Sequence, residues 1–111
     1  MTKAIRVHNT GGPEVMILED VEIGQPGAGE VHVRHTAIGL NFIDVYFRTG
    51  SYPVQTPFTP GFEAAGVVEA VGDGVNNLSV GDRIAYAAPP IGAYAEERLI
   101  AADRVVKLPD E

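Results

Sequence analysis

The sequence of 111 residues contains no cysteine, few basic residues and no long apolar run. Without cysteine it has no disulfides and no thiolate nucleophile, and it lacks the ligands of nearly every structural zinc site. No stretch approaches the roughly eighteen apolar residues of a membrane span, and residues 1–6 lack the apolar core of a signal peptide. The eight lysines and arginines are scattered in a chain of formal net charge −7, which argues against a nucleic-acid partner. These absences predict a cytoplasmic protein of one domain, with no membrane partner.

Short β-rich segments separated by glycine and proline dominate the chain. The predicted strands are residues 3–8, 16–23, 31–34, 62–71, 83–87, 93–100 and 105–108. In the third of these, Val31 and Val33 face one side while His32 and Arg34 face the other. Residues 62–71 are apolar on both faces, which predicts a central strand. Many short strands without alternating long helices predict a mainly β fold, a partly open β-barrel with one or two short helices.

One segment, Asn41 to Gly50, has the features of a helix. Asn41 is a suitable N-cap, Asp44 lies where its carboxylate can reach back to the cap, and Gly50 suits a left-handed stop. Asp44 and Arg48 are four residues apart, so we expect a surface ion pair worth roughly a few tenths of a kcal/mol. From these residues alone a purely structural helix is the better explanation, and a functional one is the alternative.

The glycine-rich segments do not predict a dinucleotide fingerprint. Gly72-Asp73-Gly74 follows a strand, but the third glycine of the pattern is replaced by Asn77 and no helix-forming run follows. A dinucleotide site needs that helix, because its N-terminal amides face the pyrophosphate. The glycines of residues 24–29 precede a strand instead of following one. We therefore expect no nucleotide-binding fold within these residues.

The most informative motif is Gly61-Phe62-Glu63-Ala64-Ala65-Gly66-Val67-Val68-Glu69-Ala70-Val71-Gly72, followed by Val80-Gly81-Asp82-Arg83-Ile84. It resembles the signature of the medium-chain dehydrogenase/reductase superfamily, whose members begin with a β-rich GroES-like domain. The resemblance runs from about Lys3 to the end of the chain. It implies that residues 1–111 form the N-terminal, substrate-side GroES-like domain of an enzyme whose nucleotide-binding domain is absent from this chain.

Two substitutions within the resemblance bear on zinc. The segment 37–46 is similar to that of the NADPH:quinone oxidoreductases, the zeta-crystallin-like branch. Asn41 stands where zinc members carry a cysteine ligand, and Phe62 stands where they carry a histidine ligand. A catalytic zinc needs about three protein ligands, so we expect a zinc-independent enzyme. His8, His32 and His35 do not supply replacements, and we interpret them as surface histidines.

The same resemblance implies a reaction and a set of site residues. The reaction is hydride transfer from NADPH to a quinone or enone, with the main NADPH site in the missing domain and a homodimer for the full-length enzyme. The expected catalytic residues are Asn41, Tyr46 and Tyr52. The expected cofactor-binding residues are Asn41, Phe42, Ile43, Asp44, Val45, Tyr46 and Arg48. No metal is expected.

Other motif residues have architectural interpretations. Gly61, Gly66 and Gly72 suit close backbone approach or positive φ, and Tyr94 suits the core better than a cleft wall. Glu63 has no clear role without a metal, beyond accepting hydrogen bonds from buried donors.

Two functions of different classes stay open: the reductase domain, and a free-standing GroES-like module that binds a partner without catalysis. Within the first, a haloacrylate or an enoyl thioester is an alternative acceptor.

Overall fold

The computed structural model describes residues 1–87 and 89–109, which form two antiparallel sheets and one α-helix. The strands are β1 (Thr2–Val7), β2 (Met16–Val21), β3 (Glu30–Ile38), β4 (Glu63–Val71), β5 (Arg83–Ala87), β6 (Glu97–Ala101) and β7 (Val106–Lys107), and the helix is α1 (Phe42–Thr49). Single 3₁₀ turns lie at Pro13–Val15 and Ala102–Arg104. In the part of the chain that the structure describes, no helix has the length and apolar character needed to cross a membrane.

The smaller sheet is the ribbon of β1 and β2. Its register pairs Thr2 with Val21 and Val7 with Met16, so the predicted hairpin-like start is confirmed. The second strand ends at Val21, two residues before the predicted end.

The larger sheet has five antiparallel strands in the order β6-β3-β4-β5-β7. β4 is its middle strand, as its apolar pattern predicts. The β3–β4 register shifts at two irregularities, and Gly66 lies opposite His35 beside one of them. A Cβ at Gly66 would stand 2.3 Å from the carbonyl oxygen of Arg34. Only glycine therefore allows the two strands to approach this closely.

The core lies against one face of this sheet. Its fully buried aliphatic side chains come mainly from the alternate inward positions of the strands: Val31, Val33, Val68, Ile84 and Ile100. The predicted alternation in β3 is confirmed, because His32 is only half-buried and Arg34 is exposed. Burial of these branched side chains is the main favourable term for the sheet.

The two sheets are joined along β1. The Ile5 N–H donates to the Tyr94 carbonyl at 2.8 Å, and the Glu96 N–H donates to the Lys3 carbonyl at 2.8 Å. The Val7 N–H donates to the Phe58 carbonyl, also at 2.8 Å. The described strands curve together through these bonds without closing, which is the predicted partly open arrangement.

The predicted strand at residues 93–100 is only partly correct, because β6 begins at Glu97. The preceding residues bond to different elements in turn. The Tyr94 N–H donates to the Pro60 carbonyl, whereas the Glu96 N–H donates to Lys3. Because the partners alternate, residues 93–96 form no continuous ladder with either neighbour. This irregular segment connects the sheets and reaches toward α1.

Candidate functional site

Helix α1 begins and ends as its sequence predicts. Asn41 occupies the N-cap position in extended conformation, and the Asp44 carboxylate accepts a hydrogen bond from the Asn41 N–H at 3.1 Å. Gly50 has φ +89° and its N–H donates to the Phe47 carbonyl at 3.2 Å. The left-handed residue turns the chain away from the helix axis, so residues 51–52 fold back along the helix.

Three exposed aromatic residues form what we call the aromatic face: Phe42 and Tyr46 in α1, and Tyr52 just after it. The ring centroids of Phe42 and Tyr46 are 5.9 Å apart, and those of Tyr46 and Tyr52 are 5.3 Å apart. The Tyr52 N–H donates to the Tyr46 carbonyl at 3.1 Å, which fixes the returning chain. The three residues are 75%, 40% and 47% exposed. A flat ring can stack against such a surface, and the two phenols supply hydrogen-bond donors.

Two aliphatic residues before the helix are also exposed. Ile38 is 46% exposed and Leu40 is 85% exposed. They lie at the end of β3 and in the connection from β3 to α1.

Asp44 points to the opposite side of α1 and is only 4% exposed. Its Oδ2 accepts a hydrogen bond from the Tyr94 hydroxyl at 2.7 Å, in addition to the one from Asn41. Its Oδ1 is buried and has no hydrogen-bond partner among the described residues. The predicted surface ion pair with Arg48 is therefore wrong, because burial turns the Asp44 carboxylate to a partner fifty residues away in sequence.

Arg48 is half-buried and bonds to the loop before β2. Its Nε donates to the Gly11 carbonyl at 3.1 Å, and the Gly11 N–H donates to the Arg48 carbonyl at 2.9 Å. These two bonds tie the end of α1 to the ribbon.

Tyr94 is half-buried, with its backbone held next to Gly61. Gly61 has φ +110°, and a Cβ there would stand 2.6 Å from the Tyr94 amide nitrogen. Burial, and then the hydrogen bond to Asp44, raise the pKa of the Tyr94 phenol. The hydroxyl therefore stays protonated at neutral pH and acts as the donor to Asp44.

A groove of about 780 Å³ opens between β1, β3 and the 94–97 segment. Apolar side chains such as Ile5, Leu18 and Ile38 line it, and Lys3 and Glu96 stand at its rim. Tyr94 also lines it, so this residue lies between the groove and α1. Asn41, Tyr46 and Tyr52 are not part of the lining, so the structure does not place the predicted catalytic residues in this groove.

The three histidines have separate hydrogen-bond partners. Exposed His8 bonds to Glu19 at 2.6 Å, and half-buried His32 bonds to Glu97 at 2.7 Å. The interpretation of His35 as a surface residue is wrong, because its ring contacts the carbonyl oxygen of Ala95 at 2.7 Å and the Tyr86 hydroxyl at 2.8 Å. Burial lowers the pKa of His35. Residues 1–87 and 89–109 contain no cluster of three or more His, Asp or Glu side chains suited to a metal.

The structure thus divides the predicted site residues into two groups. Phe42, Tyr46 and Tyr52 are exposed, whereas Asp44 is buried and the other predicted residues, Asn41, Ile43, Val45 and Arg48, are half-buried. Sequence analysis did not find the contact between Tyr94 and Asp44. The only available signal was that two polar residues lie in otherwise apolar segments, and this does not identify a pair.

Phe62 is half-buried and Glu63 begins β4. The Glu63 side chain occupies the space beside Gly39, where a Cβ would stand 2.1 Å from its Oε1. Gly39 therefore makes room for this carboxylate next to the segment that leads into α1.

Comparisons with known proteins agree with this fold. The model of the alcohol dehydrogenase GroES-like domain family matches residues 27–110. The chain is 50% identical to a quinone oxidoreductase of Pseudomonas aeruginosa over 99% of its length, and 45% identical to a 2-haloacrylate reductase of a Burkholderia species over 100%. It superimposes with a TM-score of 0.93 on Escherichia coli quinone oxidoreductase complexed with NADPH, at 42% identity over 96% of this chain.

The matches cover only part of each relative. The chain spans 34% of the two curated relatives and 33% of the E. coli structure, so it corresponds to about a third of their length.

Proposed function

The chain belongs to the alcohol dehydrogenase GroES-like domain family, and on this premise we propose that it forms the substrate-side domain of a zinc-independent, NADPH-dependent quinone or enone reductase. The observation that carries the proposal is the exposed aromatic face, with Asn41 at its start and phenols at Tyr46 and Tyr52. These residues have no evident role in stabilising the sheets. Exposed polar and aromatic groups on a rigid element are suited to binding.

Zinc independence rests on two residues. Asn41 and Phe62 stand where the zinc-dependent branch of the superfamily carries cysteine and histidine ligands. An amide is a poor zinc ligand and a phenyl ring is none, so the remaining groups are too few for a catalytic site. The partners of His8, His32 and His35 lie in three different places, which gives them no common point of ligation.

The residues present fit one side of a nicotinamide. The aromatic face offers flat apolar surface, and Asn41 offers an amide at its edge. NADPH, when bound, would supply the hydride that reduces the acceptor. Phe42 and Tyr46 would exclude water from that side of the site, while Ile43, Val45 and Arg48 support the helix from beneath. Asp44 belongs to the same segment, but its burial indicates an indirect role.

The acceptor side of the site would be formed by Asn41, Tyr46 and Tyr52. Each side chain carries a hydrogen-bond donor, and reduction of a quinone or enone puts charge on a carbonyl oxygen. Donors placed at that oxygen stabilise the transition state more than the ground state, which replaces the Lewis acid of the zinc enzymes.

The acceptor class is the open part of this proposal. One relative is named for quinones and another for 2-haloacrylate, and both acceptors present a conjugated carbonyl group. A quinone is the larger planar molecule and fits the area of three exposed rings better. We therefore place quinone first and haloacrylate second.

A free-standing binding module is the alternative. Its exposed surface would serve a protein partner, and no nucleotide-binding domain would be required. The reductase is favoured because nearly the whole of this chain aligns with about one third of the length of each relative, and these relatives are named as a 2-haloacrylate reductase and a quinone oxidoreductase. In this proposal the main NADPH site and the contacts of a homodimer lie in a domain outside these residues, and these residues alone bind NADPH weakly.

The deciding experiment starts with the intact mass of the native gene product. A mass about three times the 11.8 kDa of this chain, together with NADPH-dependent reduction of a quinone that persists after chelation of zinc, would support the proposal. A mass of 11.8 kDa with no turnover would favour the binding module. Loss of turnover on chelation, restored by zinc, would overturn zinc independence.

A further inference from the structure

Helix α1 is attached to the rest of the molecule in an unusual way. Its one buried residue is Asp44, a carboxylate, while the large aromatic residues Phe42 and Tyr46 are exposed. A surface helix normally docks by burying an apolar stripe. The apolar side chains of Ile43, Val45 and Phe47 are only half-buried, so directional polar bonds contribute to the position of α1 alongside apolar packing.

Such bonds hold the helix at two points along its length. At its end, Arg48 and Gly11 exchange a pair of hydrogen bonds. In its first turn, the Tyr94 hydroxyl donates to Asp44 at 2.7 Å. Because Asp44 Oδ2 also accepts from the Asn41 N–H, one oxygen atom connects Tyr94, the helix cap and the first turn.

The donor side of this bond is rigid. The Tyr94 N–H donates to the Pro60 carbonyl at 2.9 Å, and the Tyr94 carbonyl accepts from Ile5 of β1. Gly61 packs directly against the Tyr94 backbone. Tyr94 is thus fixed by β1 and by the segment that leads into β4 before its hydroxyl reaches the helix.

We propose that Tyr94 is a positioning residue: its hydrogen bond to Asp44 fixes the first turn of α1 and so places Asn41 and the aromatic face for the reaction. The proposal rests on the proposed function for its catalytic consequence. A hydrogen bond between a phenol and a carboxylate inside a protein is strong and directional. Tyr46 lies only two residues after Asp44, so a shift of this turn moves its phenol.

The first test is hydrogen–deuterium exchange of the native gene product with Tyr94→Phe. This variant keeps the ring in the groove and removes only the hydroxyl. We expect amides of residues 41–49 to exchange about tenfold faster or more, because the lost bond involves a charged group. Amides of β4 and β5 should be unchanged. Equal acceleration in α1 and in the sheet, or none in either, would overturn the proposal.

Two further variants serve as controls. Asp44→Asn keeps an oxygen acceptor for Tyr94, so its effect on α1 should lie between wild type and Tyr94→Phe. Tyr86→Phe removes another phenol hydroxyl, bonded to His35 and Arg98 instead of α1. Arg98 keeps its bonds to the carbonyls of Pro90 and Ile91 in that variant, so exchange in α1 should stay at the wild-type rate. Faster exchange of α1 in Tyr86→Phe would contradict a specific role for Tyr94.

The second test is kinetic. In Tyr94→Phe, kcat for quinone should fall about tenfold, because misplaced hydrogen-bond donors stabilise the transition state less well. The KM for NADPH should stay close to wild type. Tyr86→Phe should leave kcat unchanged although it loses stability. If wild type reduces no quinone, the proposed function fails while the exchange comparison still decides the role of Tyr94. If wild type is active and Tyr94→Phe keeps full kcat, the positioning role is wrong.

Discussion

The sheet and the helix of this protein are stabilised by different kinds of interaction. β3, β4 and β5 bury branched aliphatic side chains that are 0% exposed, such as Val33, Val68 and Ile84. Helix α1 exposes the aromatic residues Phe42 and Tyr46 and buries a carboxylate. Hydrophobic burial is not directional, whereas a hydrogen bond fixes distance and angle. The comparison suggests that the sheet supplies stability and that the polar contacts of α1 supply placement.

Deleting a core side chain should have the largest effect on stability. Ile84→Ala removes a fully buried side chain from β5 and should lower the free energy of unfolding by about 2 to 5 kcal/mol, through lost transfer energy and a cavity. Chemical denaturation measures this. Val80→Ala, at a residue that is 64% exposed, should change stability by less than about 0.5 kcal/mol. Similar losses in both variants would show that the sheet is not the stabilising region.

A methyl group at Gly61 should disturb the connection between the sheet and helix α1. Gly61→Ala forces a left-handed φ of +110° on alanine and a clash with the Tyr94 backbone, so we expect a loss of about 2 to 4 kcal/mol. Gly74→Ala is the matched control, because Gly74 has φ +82° and no atom within 4 Å of the added Cβ. It should cost only about 1 to 2 kcal/mol. Equal losses in thermal or chemical unfolding would mean that the close approach to Tyr94 is unimportant.

The pH dependence of stability should reflect His35. Burial lowers the pKa of His35 below its ordinary 6.5, so the unfolded chain binds this proton more readily than the folded one. The corresponding stability is fully present above pH 6.5 and is lost as the pH falls toward the folded-state pKa. Denaturation between pH 5 and pH 8 should show a shallower decline in His35→Gln than in wild type. An unchanged slope in His35→Gln would contradict the assignment.

Removing the Tyr46 hydroxyl should have the smallest effect on stability. Tyr46→Phe keeps the ring contacts with Phe42 and Tyr52, so the free energy of unfolding should change by less than about 0.5 kcal/mol. Under the proposed function kcat/KM for quinone should fall about tenfold to a hundredfold, because a donor to the reduced oxygen is lost. Steady-state kinetics and denaturation together check this. A variant with full activity would remove Tyr46 from the catalytic set.

The sequence predicts the fold well where local pattern decides it. The limits of β5 are as predicted, β4 is central, and α1 begins at its Asn41 cap and ends at Gly50. Alternation and capping depend on residues within one or two turns, so they are visible without the fold. The resemblance to quinone oxidoreductases is confirmed by the quinone oxidoreductase of Pseudomonas aeruginosa, to which the chain is 50% identical. The roles assigned to Asn41, Tyr46 and Tyr52 stay predictions.

The sequence does not predict which residues meet across the fold. Asp44 is interpreted from its spacing as a partner of Arg48, and His35 as a surface residue, and the structure contradicts both. The spacing argument is correct for an isolated helix. It fails here because burial removes water from the Asp44 carboxylate. A hydrogen bond from the Tyr94 hydroxyl then stabilises this carboxylate more than a solvated ion pair with Arg48 would.

The β-rich pattern, the limits of α1 and the absence of cysteine ligands follow from residue type and short-range order, so they can be predicted without the fold. Three contacts or exposures can be seen only in the folded chain: Tyr94 reaches Asp44, Arg48 bonds to Gly11, and the rings of Phe42, Tyr46 and Tyr52 are exposed together. Burial and long-range hydrogen bonds depend on how the sheets bring together segments that are 37 to 50 residues apart in sequence. A local sequence pattern does not show which of these segments will meet.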